Sequence, residues 1–246
     1  MSGMMRGGQL LAAQQEAKIG RIGLERAPFV VIDNFVNDPE GLVDFAAAQD
    51  TFAPVAFNLY PGVRTAAPET YAREVVLRIE KLVREVFALQ ALQLLGCQCN
   101  FSLVTTPPDK LQPMQLIPHF DTTNVHQLAL LHYLCPTDRG GTSFYRHRRT
   151  GYESITKERR DAYMATLNTE MNIAGPQAPV YINGDTTLFE RLGSVDAVFN
   201  RLLIYRSVNL HSGNIGRDFG FERDVRKGRL TLNTFMQFGP RGHTLG

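Results

Sequence analysis

The sequence has few cysteines, and their spacing excludes a disulfide framework. There are three, of which Cys97 and Cys99 flank a single residue. On a strand, a C-x-C pair would point both thiols to one face, so a two-cysteine contribution to a metal site is conceivable. Packing of reduced cysteines in the core is the interpretation that we adopt. A reduced, cytoplasmic compartment is then the simplest expectation.

Net charge and long apolar runs are also scarce. The formal charge of +2 at pH 7 is too close to zero to predict binding to nucleic acid or to an anionic membrane. No run approaches the roughly eighteen apolar residues of a transmembrane helix. Residues 1–8 hold one arginine and no apolar segment of signal-peptide length. We therefore expect neither nucleic acid nor membrane among the partners.

The chain does have enough apolar residues for a sizeable core. It contains 246 residues, of which 43% are hydrophobic, and one domain can reach this length undivided. Residues 1–27 are polar and weakly patterned, so we expect a flexible N-terminus there. Residues 28–33 form a short branched apolar run typical of a buried strand. The interpretation is a single domain over residues 28–246.

Helical patterns occupy the first third of that domain. Asp38-Pro39 is a favourable helix start, and an apolar stripe follows it. The longest candidate runs from residue 68 to about residue 89, with apolar side chains at helical spacing. Residues 51–68 between them look irregular and carry a strong turn signal. We predict helical support over residues 34–92.

Short strands and turns replace the helical pattern from residue 94 onward. One helical stretch interrupts them at residues 156–170. Helices followed by about eight strands favour an α+β fold with a double-stranded β-helix, or jelly roll, as its core over residues 94–239. The predicted strands are residues 97–105, 115–119, 126–134, 142–145, 186–192, 201–207 and 229–238.

Three residues of this region have the chemistry of a metal site. His119 and Asp121 form an H-x-D motif, and His211 lies far downstream. Alternation along a strand would point His119 and Asp121 the same way, and a jelly roll can bring a distant strand beside them. Two imidazoles and a carboxylate form the facial triad of non-haem iron(II) sites. We predict that these residues are the catalytic metal ligands; for His119 alone, a structural or surface role is the alternative.

A second prediction concerns an anchor for an acidic co-substrate. On the last strand, alternation places Arg229 and Thr231 on one face. An arginine inside a barrel is costly unless it meets an anion, and its guanidinium fork suits a carboxylate. We favour Arg229, although its head group could instead lie in water at an edge strand. Other arginines of the preceding loop compete for the role, namely Arg217, Arg223 and Arg226.

Two further side chains could face the same pocket. Tyr133 shares a strand face with apolar neighbours and could point its hydroxyl inward; a buried tyrosine bonded to backbone is the alternative. His132 faces oppositely and is expected to be structural. Arg146 would alternate inward with Thr142 and could grip an anionic group on a substrate, whereas a solvated basic loop is the more ordinary interpretation.

The order of these motifs resembles a known class of enzymes. H-x-D is followed by a strand ending in Tyr-Leu, then Gly-Gly-Thr-x-Phe, then His-x-Gly, then an arginine on a final strand. This order is similar to the prolyl-4-hydroxylase-like class of iron(II)/2-oxoglutarate-dependent oxygenases. More narrowly, residues 60–64, 144–148 and 211–213 resemble an uncharacterised bacterial family within it.

The resemblance implies roles for these residues. His119, Asp121 and His211 would hold Fe(II), Arg229 would pair with the far carboxylate of 2-oxoglutarate, and Tyr133 would hydrogen-bond it. Arg229 follows His211 by eighteen residues, longer than the class usually shows, so the loop between them must bulge outward. The retained Asp121 argues against halogenating variants, in which a missing carboxylate makes room for halide.

The expected function is therefore an iron(II)/2-oxoglutarate-dependent dioxygenase that hydroxylates an unidentified small molecule or peptidyl side chain. Its expected partners are that substrate and dioxygen, and a homodimer is compatible with the sequence. One alternative is a non-catalytic jelly-roll metal-binding or regulatory protein. Another is a metal-dependent enzyme on a cupin-like barrel that needs no co-substrate.

Overall fold

The computed structural model describes residues 16–54, 59–175, 178–216 and 218–242. Short antiparallel strands dominate, and three α-helices accompany them. The helices are α1 (Pro39–Ala47), α2 (Glu69–Val86) and α3 (Lys157–Ala174). The strands are β1 (Ala17–Ile22), β2 (Ala27–Ile32), β3 (Gly62–Ala66), β4 (Gln93–Val104), β5 (Gln127–Tyr133), β6 (Thr142–His147), β7 (Phe189–Val195), β8 (Arg201–Arg206), β9 (His211–Gly213) and β10 (Leu230–Gly239).

The strands form two sheets. The larger sheet has the order β1-β2-β8-β5-β10-β4-β3, and the smaller has the order β7-β6-β9. Besides three pairs of consecutive strands, the sheets join strands that are distant in sequence, such as β5 with β10 and β6 with β9, as in a jelly roll. The α+β fold with a double-stranded β-helix core and supporting helices is confirmed.

The two N-terminal helices cover one face of the larger sheet. Asp38 caps α1 by accepting a hydrogen bond from the Gly41 amide at 2.9 Å, with Pro39 in the first turn. Apolar side chains then recur at helical spacing on the face that meets the sheet. They are Leu42, Val43 and Ala46 from α1, and Tyr71, Val75, Ile79 and Val83 from α2.

The opposite face of the larger sheet meets the smaller sheet. Phe144 of β6 and Tyr205 of β8 pack edge to face there, with ring centroids 5.1 Å apart. Helix α3 covers the outside of the smaller sheet through Tyr163 and Leu167. Between the sheets the strands leave a cavity, which holds the candidate site.

One predicted strand, residues 115–119, is wrong. A 3-10 helix spans Pro113–Gln115, and only His119 makes an isolated bridge. Pro113 precedes this stretch and Pro118 lies within it, and neither has a backbone N–H to donate to a ladder, which explains why no strand forms.

Two strands were missed. The N-terminal prediction is wrong for Ala17–Ile22, which pairs with β2, whereas residues 1–15 lie outside the described ranges. Gly20 counts against a strand in sequence, yet a Cβ there would lie 2.2 Å from the Phe29 ring across the ladder. The stretch predicted to be irregular contains β3, which pairs with β4. The single-domain interpretation stays a prediction.

Cys97 and Cys99 pack against the core that the helices cover, which confirms the interpretation as core packing. The sulfur of Cys99 lies 2.5 Å from the Thr234 hydroxyl, and burial raises the pKa of Cys97 to about 11. Among the described helices, none combines the length and apolar character that a bilayer span requires.

Candidate functional site

His119, Asp121 and His211 converge at one end of the cavity. The His119 and His211 backbones exchange two hydrogen bonds, at 2.9 and 2.8 Å, and their rings lie 4.3 Å apart between centroids. Asp121 Oδ1 lies 3.8 Å from the Nε2 atom of each histidine. One ligand atom from each residue falls within 4.8 Å of the others. The convergence thus comes from extended backbone and a bridge to β9, without the strand predicted around His119.

Neighbouring groups orient two of the three side chains. Nδ1 of His211 lies 2.8 Å from the Asn209 carbonyl oxygen, which can only accept a hydrogen bond. Nδ1 therefore carries the proton, and the lone pair of Nε2 faces Asp121. The Asp121 amide donates to the Ser207 carbonyl at 2.8 Å, and the Ser207 hydroxyl hydrogen-bonds the Asp121 carboxylate.

Burial and charge set the protonation of the cluster. Burial lowers the pKa of His119 well below 6.5, and the proximity of the His211 ring and of the Arg64 guanidinium lowers it further. Burial raises the pKa of Asp121 above 3.8, although His211, Arg64 and the Ser207 hydroxyl oppose that shift. Neutral imidazole is the form that binds a metal ion.

The donor set fits a divalent first-row metal. Two neutral imidazoles and one carboxylate are the ligands of the facial triad, which leaves the other coordination positions open. The His119 side chain is 43% exposed and that of Asp121 is 18% exposed, so the cluster opens toward the cavity. Across the part of the chain that the structure describes, no other group of histidines, cysteines and carboxylates meets the same spacing.

The cavity has a volume of about 950 Å³. Its floor is the inner face of β4, β5 and β10, and His211 of β9 lies on the opposite side. The described charged residues in its lining are Arg64, Asp121 and Arg229. The metal-site candidates and the predicted anchor therefore share one chamber.

Arg229 is buried in the wall of this cavity, with 4% of its surface exposed. Its Nε donates to the Gly140 carbonyl at 3.1 Å, and one terminal nitrogen donates to the Gly141 carbonyl at 3.0 Å. Gly140 has φ +78°, and a Cβ there would lie 1.7 Å from the Asn214 carbonyl oxygen. A glycine is therefore required at the turn that holds Arg229.

The two companions predicted for Arg229 lie behind it. The Tyr133 hydroxyl hydrogen-bonds the Thr142 hydroxyl at 2.7 Å, and the Arg229 guanidinium lies 5.7 Å from the Tyr133 ring centre. Thr231 is fully buried and donates to the Ser102 carbonyl at 3.4 Å. Both residues lie on the cavity face of their strands, but their side chains are fully buried and do not contribute to the cavity lining.

Arg146 does not reach the cavity, which corrects the expectation that it would face a substrate. Its guanidinium donates to Glu153 at 2.6 and 2.8 Å and to Glu190 at 2.9 Å. The register shift beside Phe144 adds a residue to β7 and leaves the alternation of β6 intact, so Arg146 lies on the same face as Phe144 but is held away from the cavity by its two carboxylate partners.

The competing arginines are also placed elsewhere. Arg226 pairs with Asp44 on the surface at 2.6 Å, and Arg223 lines a separate depression. Arg217 lies outside the described residues. Among the described members of this group, only Arg229 lines the cavity.

Several residues of the site escaped the sequence interpretation. Arg64 and Tyr60 line the cavity from a stretch that reads as irregular, and Ser207 supports Asp121 from the end of β8. Tyr205 packs on His211 with ring centroids 4.8 Å apart. Alternation along β4 and β10 could have revealed the polar, cavity-facing positions Gln98, Asn100, Asn233 and Gln237.

Known proteins resemble this chain in fold. HygX from Streptomyces hygroscopicus with iron bound has a TM-score of 0.50 and 13% identity, covering 89% of this chain and 85% of HygX. The carbocyclase SnoK from nogalamycin biosynthesis has a TM-score of 0.49 and 14% identity, covering 85% of this chain and 79% of SnoK. At these identities the likeness concerns the fold alone.

Comparison of the sequence identifies a family. No curated protein matches the chain. Residues 13–236 match the family described as "Family of unknown function (DUF6445)". Because this match spans most of the chain, the protein belongs to the DUF6445 family.

Proposed function

We propose that this protein is an iron(II)- and 2-oxoglutarate-dependent oxygenase that hydroxylates a small molecule or a peptidyl side chain. One observation carries the proposal. A cluster of two histidines and one aspartate shares a cavity with a buried arginine that has no carboxylate partner among the described residues. A metal chelated by an acidic co-substrate would explain both features.

His119, Asp121 and His211 would hold the metal. The Asn209 carbonyl fixes the His211 tautomer that leaves Nε2 free to coordinate. The Ser207 hydroxyl holds the carboxylate of Asp121 in place. Both contacts restrict the rotamers of His211 and Asp121 before a metal binds.

Arg229 would bind the far carboxylate of 2-oxoglutarate. Two of its N–H groups are used by Gly140 and Gly141, so part of its fork is free for an anion. The Tyr133 ring supports the guanidinium from behind, and Thr142 occupies the Tyr133 hydroxyl. In this proposal Tyr133 therefore positions Arg229 and does not touch the co-substrate.

Iron(II) and 2-oxoglutarate, when bound, supply an oxidant able to hydroxylate a C–H bond with dioxygen. The protein contributes fixed ligands, an anchored co-substrate and a chamber that limits access of water. HygX, which shares the fold, has been crystallised with iron bound, and this supports the choice of metal.

Ligand-dependent melting tests the proposal. Mn(II) should raise the melting temperature of the wild-type protein, and 2-oxoglutarate should raise it further only when Mn(II) is present. His119→Ala and Asp121→Ala should remove both increments, and Arg229→Ala should remove the second alone. His126→Ala is the matched control, because His126 lies in a turn outside the cluster.

Anaerobic absorption gives an independent readout. Iron(II) with 2-oxoglutarate should produce a weak visible charge-transfer band in the wild type and none in His119→Ala. Metal binding without any effect of 2-oxoglutarate would reject the oxygenase and favour a metal-binding protein or an enzyme without a co-substrate. Absence of metal binding would reject all three interpretations.

A further inference from the structure

Arg64 is a second cation in the cavity, on the side of β3. Its backbone is fixed on two sides, since it pairs with Ser102 of β4 and exchanges hydrogen bonds of 2.9 and 3.0 Å with Ala53. Its guanidinium lies 4.4 Å from the centre of the Tyr60 ring, which supports it from one face. The side chain therefore projects from a rigid position into the same chamber as the metal cluster.

Within the described residues, no side chain forms a hydrogen bond or an ion pair with the guanidinium of Arg64. Its Nε is buried and makes no hydrogen bond to any residue in the described ranges, and no carboxylate of those ranges lies within ion-pair distance. Asp121 is near enough to interact electrostatically, yet its oxygens belong to the metal cluster. A half-buried cation with a buried, unsatisfied Nε is costly, so an anionic ligand is the natural partner.

The charges of the cavity lead to the same conclusion. Among the described lining residues, Arg64 and Arg229 are positive and Asp121 is negative, with the histidines neutral, which leaves one positive charge in excess. A divalent metal and the dianion of 2-oxoglutarate cancel each other. The excess charge therefore persists in the loaded site, and one further negative charge would neutralise it.

Uncharged amides line the floor beyond Arg64. Asn233 is directly opposite Asn100, Phe235 is opposite Gln98, and Gln237 is opposite Gln127 in the ladders of β10. The Asn233 oxygen is buried without a hydrogen-bond donor in the described part of the chain. Carboxamides recognise N–H and O–H groups and do not select for charge. We call these five side chains (Gln98, Asn100, Gln127, Asn233 and Gln237) the amide cluster.

We propose that Arg64 binds a carboxylate of a monoanionic primary substrate, whose uncharged N–H or O–H groups face the amide cluster. This inference rests on the proposed function, since it assigns the substrate class of the same cavity. Arg64 and Arg229 then divide the two acids between them: Arg229 holds the co-substrate and Arg64 the molecule to be oxidised. Arg64 is a specificity-determining residue in this arrangement.

A matched pair of probes tests the assignment. N-acetylglycine carries one carboxylate and one N–H, and N-acetylglycinamide is its neutral counterpart. With the protein loaded with Mn(II) and 2-oxoglutarate, the metal should enhance relaxation of the acetyl protons of the anion and not of the amide. Arg64→Gln should weaken binding of the anion about tenfold or more, because charge-assisted hydrogen bonds are lost.

Two variants serve as controls. Arg64→Lys keeps the charge and should retain part of the binding, while Arg73→Gln alters an exposed arginine of α2 and should have no effect. Equal binding of both probes, or full binding of the anion in Arg64→Gln, would overturn the inference. So would a loss of 2-oxoglutarate affinity in Arg64→Gln as large as that in Arg229→Ala, because Arg64 would then be the co-substrate anchor.

A metal-free measurement separates this inference from the proposed function. N-acetylglycine should shift the Arg64 Nε–H resonance, identified by its disappearance in Arg64→Gln. A protein that shows this shift and does not bind 2-oxoglutarate would reject the oxygenase proposal alone. A protein that binds 2-oxoglutarate and shows no Arg64-dependent binding of the probe would reject the substrate assignment alone.

Discussion

The two faces of the larger sheet differ in how completely the protein satisfies the hydrogen bonds of their buried polar groups. On the face covered by α1 and α2, His132 donates from Nε2 to the Asn200 side-chain oxygen at 3.0 Å and accepts from the Tyr71 hydroxyl at 2.9 Å. That Asn200 oxygen also accepts from the Val36 amide, which fixes its role as an acceptor. Every polar atom of the His132 ring is therefore satisfied by the protein, as expected for a structural histidine.

On the cavity face, polar groups are left incomplete. Arg64 has no anion, Arg229 has only carbonyl partners, and the Asn233 oxygen has no donor among the described residues. Proteins bury such groups at a cost in stability, and they retain them where a ligand completes the contacts. The helix face thus satisfies its buried polar groups within the protein, and we propose that the cavity face leaves them for ligands.

The largest expected effect is loss of an aromatic ring on the helix face. Phe101 of β4 is fully buried and packs against Phe45, with ring centroids 6.1 Å apart. Phe101→Ala should lower the free energy of unfolding by about 3–5 kcal/mol in urea titrations. Phe235→Ala is the matched control, because Phe235 is a half-buried residue on the cavity face of β10. The free energy of unfolding should fall clearly less in this variant. Equal losses would remove the distinction between the faces.

The next effect is a pH dependence that originates at His132. Burial lowers the pKa of His132 to about 4, from 6.5 when it is unfolded. The unfolded chain binds the proton more tightly, so stability from this residue is complete above pH 6.5 and falls as the pH drops toward 4. The loss is about 3 kcal/mol. The difference between the urea midpoints at pH 7 and pH 4.5 should be smaller in His132→Gln than in the wild type; identical pH profiles of the two proteins would contradict this assignment.

Sequence alone could predict the cluster of His119, Asp121 and His211, because its geometry depends mainly on the alternation of side chains along extended backbone. His119 and Asp121 are two residues apart on extended backbone, and side chains so spaced point the same way even without a strand. His211 was accessible because His-x-Gly follows a clear strand, β8. The expectation of a structural His132 is also confirmed, since opposite faces of β5 meet the helices and the cavity.

The wrong prediction for Arg146 and the missed Arg64 have causes that the alternation of side chains does not reveal. Arg146 has the inward alternation that was predicted, yet Glu153 and Glu190 bind its guanidinium away from the cavity, and both contacts depend on the tertiary structure. Arg64 was missed because β3 lies in a stretch of turn signals and takes its strand form from pairing with β4. Such pairing is a tertiary effect that overrides weak local preference.

A smaller effect should distinguish the two cavity arginines in the metal-free protein. Arg229→Met removes the side-chain donor to the Gly140 carbonyl and one of the two donors to the Gly141 carbonyl, which keeps the Asn214 amide; this should cost about 1–3 kcal/mol of unfolding free energy. Arg64→Met removes no hydrogen bond to the described residues and loses only the contact with the Tyr60 ring, so its cost should stay below about 1 kcal/mol. Urea titrations of both variants measure the difference. A larger loss at Arg64 would show that its guanidinium supports the fold.

The smallest effect on stability is expected at the metal cluster itself. The pKa of Asp121 is raised by burial, so at pH 7 the ionised carboxylate is less favourable in the folded than in the unfolded chain. Asp121→Asn removes that charge and keeps an oxygen for the Ser207 hydroxyl. Its metal-free stability should equal that of the wild type within about 0.5 kcal/mol or exceed it.

When metal is added, Asp121→Asn should become the less stable of the two proteins. Mn(II) should raise the melting temperature of the wild type and leave Asp121→Asn unchanged, because an amide oxygen is a far weaker ligand than a carboxylate. A variant that is much less stable without metal would mean that Asp121 serves the fold. The cavity face is prepared for ligands only if the Asp121 carboxylate, which lowers the stability of the empty site, is also the group that metal binding requires.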